Sequence, residues 1–210
     1  MLWLSRKQLL SPFPEGRLQQ ATLDLLAGSD IQFHRENRKD IALVKNHDIA
    51  LVFLPAGDIP MFVRKGRVDL GITGGDQVAE HEAKLLLRRE EMGGDGHEDG
   101  KLDVRGVEEV LALGFGKCRL QVQVPEKGKL QTPKELIGRN VVTSFVGLTE
   151  QYFARLEGQE KGMTNGDFAE PLTKRLKTQI EYAGGSVEAA CALGAADGIV
   201  DLVGMGPTVL

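Results

Sequence analysis

The sequence predicts an α/β protein of two lobes with mixed, mostly parallel sheets. Three observations predict it. Apolar runs of the fully buried kind, above all Ile49-Ala50-Leu51-Val52-Phe53-Leu54, alternate with short helical stretches. Glycine is abundant at 26 of 210 residues while aromatics are only 5%, which suits many turns and backbone-lined loops. A hydrophobic content of 41% is enough to bury a core in each lobe.

The elements follow in order. Ser11-Pro12-Phe13-Pro14 interrupts a first apolar strand, because proline cannot serve a central sheet. Gln19 to Leu26 has helical spacing, with Gly28 just past its end. Ile31-Gln32-Phe33, Ile41 to Val44 and Ile49 to Leu54 read as strands. Pro55 stops the last of these, and Asp58-Ile59-Pro60 starts a helix that Gly66 ends. Val68 to Asp76 reads as strand, small-residue loop and helix start. From about 80 to 105 the chain turns polar, with Arg88-Arg89-Glu90-Glu91 and a glycine-rich run from Gly93 to Gly100, and is expected to be a disordered insertion. Structure resumes over Val107 to Leu113, and Gly114 to Lys117 is the expected crossing between lobes. Cys118 to Pro125 alternates as a strand. Thr132-Pro133 opens a short helix, and Asn140 to Phe145 is a buried strand running to Thr149, the expected cap of the next helix. Gln179 to Tyr182 is the next strand.

The stretch from Tyr182 to Thr208 carries the chemistry. Gly184-Gly185-Ser186 permits a tight turn into a helix from Val187 to Leu193, which Gly194 ends. Asp197, an apolar run and Asp201 follow, then a small-residue loop through Gly206-Pro207-Thr208. A helix start that attracts anions, beside carboxylates suited to a ribose diol, reads as a phosphosugar site. The loops expected to bind are Gly71 to Asp76, Thr143 to Thr149 and Asp197 to Thr208, after strand ends as in open α/β sheets.

Net charge of −4 and pI near 5.7 argue against nucleic-acid binding. Cys118 and Cys191, and His34, His47, His81 and His97, share no ligand spacing, so no metal site of the protein's own is expected. No run approaches the ~20 apolar residues of a membrane span, and a cytoplasmic location is expected.

At this point the residues resemble a known family, the ATP phosphoribosyltransferases of histidine biosynthesis. The resemblance rests on Gly16-Arg17-Leu18, Phe53 to Pro60, Asp69-Leu70-Gly71-Ile72-Thr73-Gly74, Leu113 to Leu120 and Gly185-Ser186-Val187-Glu188. Its most specific part is the signature Glu188, Gly194, Ala196, Ile199, Asp201, Gly206 and Thr208. It covers residues 13 to 208 apart from the insertion, which looks like that of fungal members.

The resemblance implies a periplasmic-binding-protein-like fold, with lobe I at 1–114, lobe II at 115–203, and 204–210 as a truncated return toward lobe I without the C-terminal regulatory domain. It implies ATP and phosphoribosyl pyrophosphate as substrates, Mg²⁺ carried on the pyrophosphate, and a homo-oligomer. The implied catalytic residues are Glu188, Asp197 and Asp201. The implied binding residues are Arg17, Arg35, Asp69, Gly71, Thr73, Gly74, Ser144, Ser186, Gly206 and Thr208. Glu15 stands where the family carries lysine, and Gly204-Met205 replaces an acidic residue and a hydroxyl. The competing reading is a binding or structural subunit of the same fold that catalyses nothing.

Overall fold

A computed structural model describes residues 9–15, 18–36, 39–91, 106–160, 176–185 and 187–204. The chain divides into two compact units: residues 1–81 with 101–116, and 82–100 with 117–210. The boundary falls inside a helix, so part of the stretch expected in lobe I belongs to the second unit.

In the first unit a three-stranded sheet has the order β1 (Leu9–Glu15), β3 (Ile49–Pro55), β2 (Ile41–Leu43). β3 is central, parallel to β1 and antiparallel to β2. Its apolar run is what a two-sided strand needs: Ala50, Leu51 and Phe53 are all buried. The expected interruption by proline does not occur. β1 runs through Pro12 and Pro14, which lie opposite Val52 and Leu54. An edge position makes this possible. Alternate residues turn their N–H the same way, so Ser11, Phe13 and Glu15 can serve the ladder while the two prolines face outward.

Helix α1 (Gln19–Gly28) packs Leu23 and Leu26 on Ala42, Val44, Leu51 and Phe53. Its end differs from expectation. Gly28 is helical, and Asp30 takes the left-handed position at φ 55. Asp30 N–H donates to the Ala27 carbonyl and Ile31 N–H to that of Leu26, the paired bonds of a Schellman ending. The expected strand at Ile31–Phe33 is only a single bridge, Phe33 to Val44.

Helix α2 (Ile59–Arg64) starts at Asp58 with proline in its first turn, as the sequence indicates. The expected strand at Val68–Leu70 is irregular backbone. Helix α3 (Gly75–Glu91) is the larger correction. Residues 80–91 are not an irregular insertion but the body of this helix. Glu80, Ala83 and Leu87 form its buried stripe, and the charge run is its last turn, where Arg88 and Arg89 suit the helix dipole. The rest of the expected insertion, 92–105, lies outside the described residues. Val107 to Leu113 has no regular structure, and Val110 and Leu111 are exposed at 77% and 72%. Gly114 and Gly116 take positive φ of 79° and 72°, which an L side chain resists.

The second unit holds a four-stranded sheet of order β4 (Cys118–Gln123), β7 (Gly198–Gly204), β5 (Asn140–Thr143), β6 (Gln179–Tyr182). β5 is parallel to both β6 and β7, and β4 is antiparallel to β7. Alternation sends Val141 and Val200 to one face, against Phe153 of helix α4 (Val146–Glu160). Val142 and Ile199 go to the other, against Val187 of helix α5 (Val187–Ala192). Gly194 ends α5 at φ 71, its N–H on the Cys191 carbonyl and that of Ala195 on Ala190.

Thr149 does not cap α4, which begins three residues earlier; its side chain is buried. Next to Thr149, Gly147 allows a close helix crossing. A Cβ there would lie 2.9 Å from the Lys84 nitrogen and 3.1 Å from the Ala83 Cβ.

The 3₁₀ turn Pro133–Leu136 carries a capping box. The Glu135 carboxylate accepts from the amides of Gln131 and Thr132 at 2.6 and 2.8 Å. These backbone bonds hold its carboxyl below the ordinary value of 4.5. A depressed pKa gives stability that is complete above about 4.5 and fades as pH falls through the folded value. Urea midpoints of wild type and Glu135→Gln are therefore expected to differ at pH 7 and to converge in acid. A constant difference across that range would refute the capping role.

Candidate functional site

In the second unit, the carboxyl ends of the parallel strands are built around Thr143, which is fully buried. Its hydroxyl donates to the Val200 carbonyl at 2.7 Å and accepts from the Phe145 amide at 2.9 Å. That hydroxyl ties the exit of β5 to β7 and sets the turn that presents half-buried Ser144. Thr143 opens the loop expected to bind, but its part in tying β5 to β7 had no local signal beyond a hydroxyl closing a buried apolar strand.

Asp201 follows Val200 and is half-buried, opposite Gln121 of β4. One oxygen accepts from the Leu202 amide at 2.7 Å. Strand alternation puts Asp201 on the face of Ile199, the face that α5 covers. Glu188 lies exposed in the first turn of α5. The structure thus assigns Glu188 and Asp201 to the same side of the sheet.

Asp197 is not with them. It precedes β7 at the amino end of the sheet, four residues and roughly 13 Å of strand from Asp201. Its backbone N–H donates to the Asn140 carbonyl at 2.9 Å, and Oδ2 accepts from the Asn140 amide at 3.1 Å. Oδ1 stands 3.4 Å from Nη1 of Arg139. This carboxylate fixes the start of β5 against β7. Burial, with the nearby Asp197 charge, also pushes the Cys191 thiol up, which keeps it protonated.

In the first unit, Asp69, Gly71, Thr73 and Gly74 form the loop before α3. The Thr73 hydroxyl donates to the Ala56 carbonyl at 2.8 Å, pinning the loop to the turn after β3. Its lone pairs remain able to accept. The Gly74 carbonyl receives the Gln77 and Val78 amides and so begins α3. A methyl on Gly74 would run into the Asp76 carboxylate, which would have to turn aside.

Arg35 is half-buried rather than a solvated tail. Its Nε donates to the Lys39 carbonyl at 2.9 Å, and its guanidinium carbon sits 3.9 Å from the centre of the Phe53 ring. Phe53 as the platform that orients Arg35 was not legible as such in the sequence. Arg17, Ser186, Gly206 and Thr208 lie outside the described residues. Among the described residues no group of three His, Cys, Asp or Glu side chains is placed to hold a metal ion, and no helix is long and apolar enough to cross a membrane.

Two α/β units with polar and acidic groups at strand ends and on the loop before a helix place this chain in the class of open-sheet α/β proteins, in which strand-end loops commonly hold the ligand. The comparisons narrow this class. The sequence profile of the family described as HisG, ATP phosphoribosyltransferase, matches residues 55–210. ATP phosphoribosyltransferase of Yarrowia lipolytica is 50% identical over 98% of the chain and 58% of its own length. That of Schizosaccharomyces pombe is 47% identical over 96% of the chain and 58% of its own length. For Saccharomyces cerevisiae the values are 44%, 96% and 57%. The chain belongs to the ATP phosphoribosyltransferase family, and it spans about 58% of the length of such relatives. A solved ATP phosphoribosyltransferase HisG:HisZ complex from Thermotoga maritima shares the fold, with a TM-score of 0.61 at 21% identity over 96% of this chain and 77% of that one.

Proposed function

We propose that this chain carries the phosphoribosyl-transfer chemistry of its family, joining ATP to phosphoribosyl pyrophosphate. The adenine N1 lone pair forms the new bond at C1 of the ribose with inversion. The electrons of the broken C1–O bond leave with pyrophosphate, and Mg²⁺ arrives on that group as part of the substrate. The observation that carries the reading is the 50% identity with a relative of that name across nearly the whole chain.

The sugar gains positive charge as the bond breaks, so the site works by positioning and electrostatics rather than by a covalent nucleophile. Asp201 and Glu188 orient the ribose hydroxyls. Ser144 and Ser186, with Gly206 and Thr208, receive phosphate. Arg35, seated over the Phe53 ring, and Arg17 grip phosphate oxygens through paired N–H donors. Asp69, Gly71, Thr73 and Gly74 line the nucleotide. Asp197 is left out of the machinery. The working form is a homo-oligomer, as the resemblance implies.

The test is a turnover assay with ATP, phosphoribosyl pyrophosphate and Mg²⁺, followed by ultraviolet absorbance with pyrophosphatase present. Asp201→Asn is expected to lower kcat/KM about tenfold or more, the loss of one charge-assisted hydrogen bond. Wild-type turnover in that variant would remove Asp201 from the site. Substrate binding by the wild-type chain without turnover would favour a binding subunit over an enzyme.

A further inference from the structure

At the amino end of the second unit's sheet, far along the strands from Asp201, lies an open pocket of about 310 Å³. Its apolar lining comes from Pro125, Leu130 and Ala196, and its charged lining from Lys129, Arg139 and Asp197. The charges are not equivalent. Asp197 is occupied, with one oxygen on the Asn140 amide and the other toward Arg139. Arg139 is anchored through Nε, which donates to the Glu135 carbonyl at 2.9 Å, and through Nη1 at 3.4 Å from Asp197. The guanidinium is therefore oriented before anything binds, and a planar fork held this way suits a carboxylate. Lys129 adds a second cation to the lining. Two cations against one committed carboxylate leave the pocket one positive charge in excess, over an apolar floor.

We propose that this pocket is a binding site for a small organic carboxylate with an apolar body, separate from the phosphoribosyl chemistry. Arg139 and Lys129 take the carboxylate, and the body lies against Pro125, Leu130 and Ala196. The volume is at the lower end of what small-molecule sites offer, which limits the ligand to roughly the size of an aromatic acid or an amino acid. Because Arg139 and Asp197 also fix the starts of β5 and β7, an occupant would steady the amino edge of the sheet.

Benzoate is the probe, and backbone amide NMR of the full chain is the readout. Titration is expected to give saturable shifts at Leu130 and Ala196. Benzamide, the neutral analogue, is expected to give none. Arg139→Gln and Lys129→Gln should each weaken benzoate binding, the first by about tenfold as one charge-assisted contact is lost. Both side chains are exposed, and an amide spectrum that keeps its wild-type dispersion shows that each variant is folded. Absence of saturable shifts overturns the proposal, as do equal shifts with benzamide or unchanged affinity in both variants. Inorganic phosphate binding as tightly as benzoate would also overturn it, since the apolar floor would then contribute nothing.

Discussion

Replacing Glu157 by alanine is expected to lower the unfolding free energy by about 2–6 kcal/mol, since two backbone donors lose their acceptor at roughly 1–3 kcal/mol each. Glu157 is only 4% exposed, on the inner face of α4. Its two oxygens accept from the Lys177 amide at 3.1 and 3.0 Å, and Oε1 also accepts from the amide and hydroxyl of Thr178 at 3.0 and 2.7 Å. The Thr178 oxygen in turn accepts from the Gly138 amide at 3.3 Å. One carboxylate thus secures the entry to β6, which among the described residues pairs only with β5. Alanine strands two backbone donors; glutamine keeps one acceptor and should cost less than half as much. Urea unfolding, with hydrogen exchange at the Thr178 amide, checks both. An alanine variant as stable as wild type would show that the clamp holds nothing.

Gly198→Ala should cost about 2 kcal/mol through overpacking. A Cβ at Gly198 would lie 2.9 and 3.0 Å from the two methyls of Leu136 and 3.2 Å from the Gln123 carbonyl. Leu136 is fully buried at the centre of its cluster, so it has no empty rotamer to move into. Shortening Leu136 to valine in the same chain should recover part of the loss, giving a favourable coupling in a double-mutant cycle. Additive effects of the two substitutions would mean that the residues do not press on each other.

The sequence exposes an element where one physical signal dominates. β3 is an unbroken apolar run and β4 a plain alternation, and both stand where expected. α3 was hidden because its charges outnumber its apolar residues. Only the spacing of Glu80, Ala83 and Leu87 marks the buried stripe, and the first of these is itself acidic. β1 was hidden by a rule about prolines that holds for central strands and lapses at an edge.

The site was legible unevenly. Glu188 and Asp201 stand out because a strand and the helix over it share a face. Asp197 and Asp201 read from the sequence as carboxylates at the ends of a buried apolar run, and β7 sets them roughly 13 Å apart along the sheet. Thr143, Phe53 and Glu157 act through partners distant in sequence, and no local pattern announces such pairings.

The prolines of β1 also decide how the first unit's sheet meets other chains. A strand arriving at the outer side of β1 would find carbonyl acceptors but no amide at positions 12 and 14, so it could not complete a ladder there. The opposite edge is held in another way: just past β2, Phe33 bridges Val44 and the Lys45 amide donates to the Gln32 carbonyl at 2.7 Å. Among the described residues, neither side of this sheet offers an arriving strand an uninterrupted ladder.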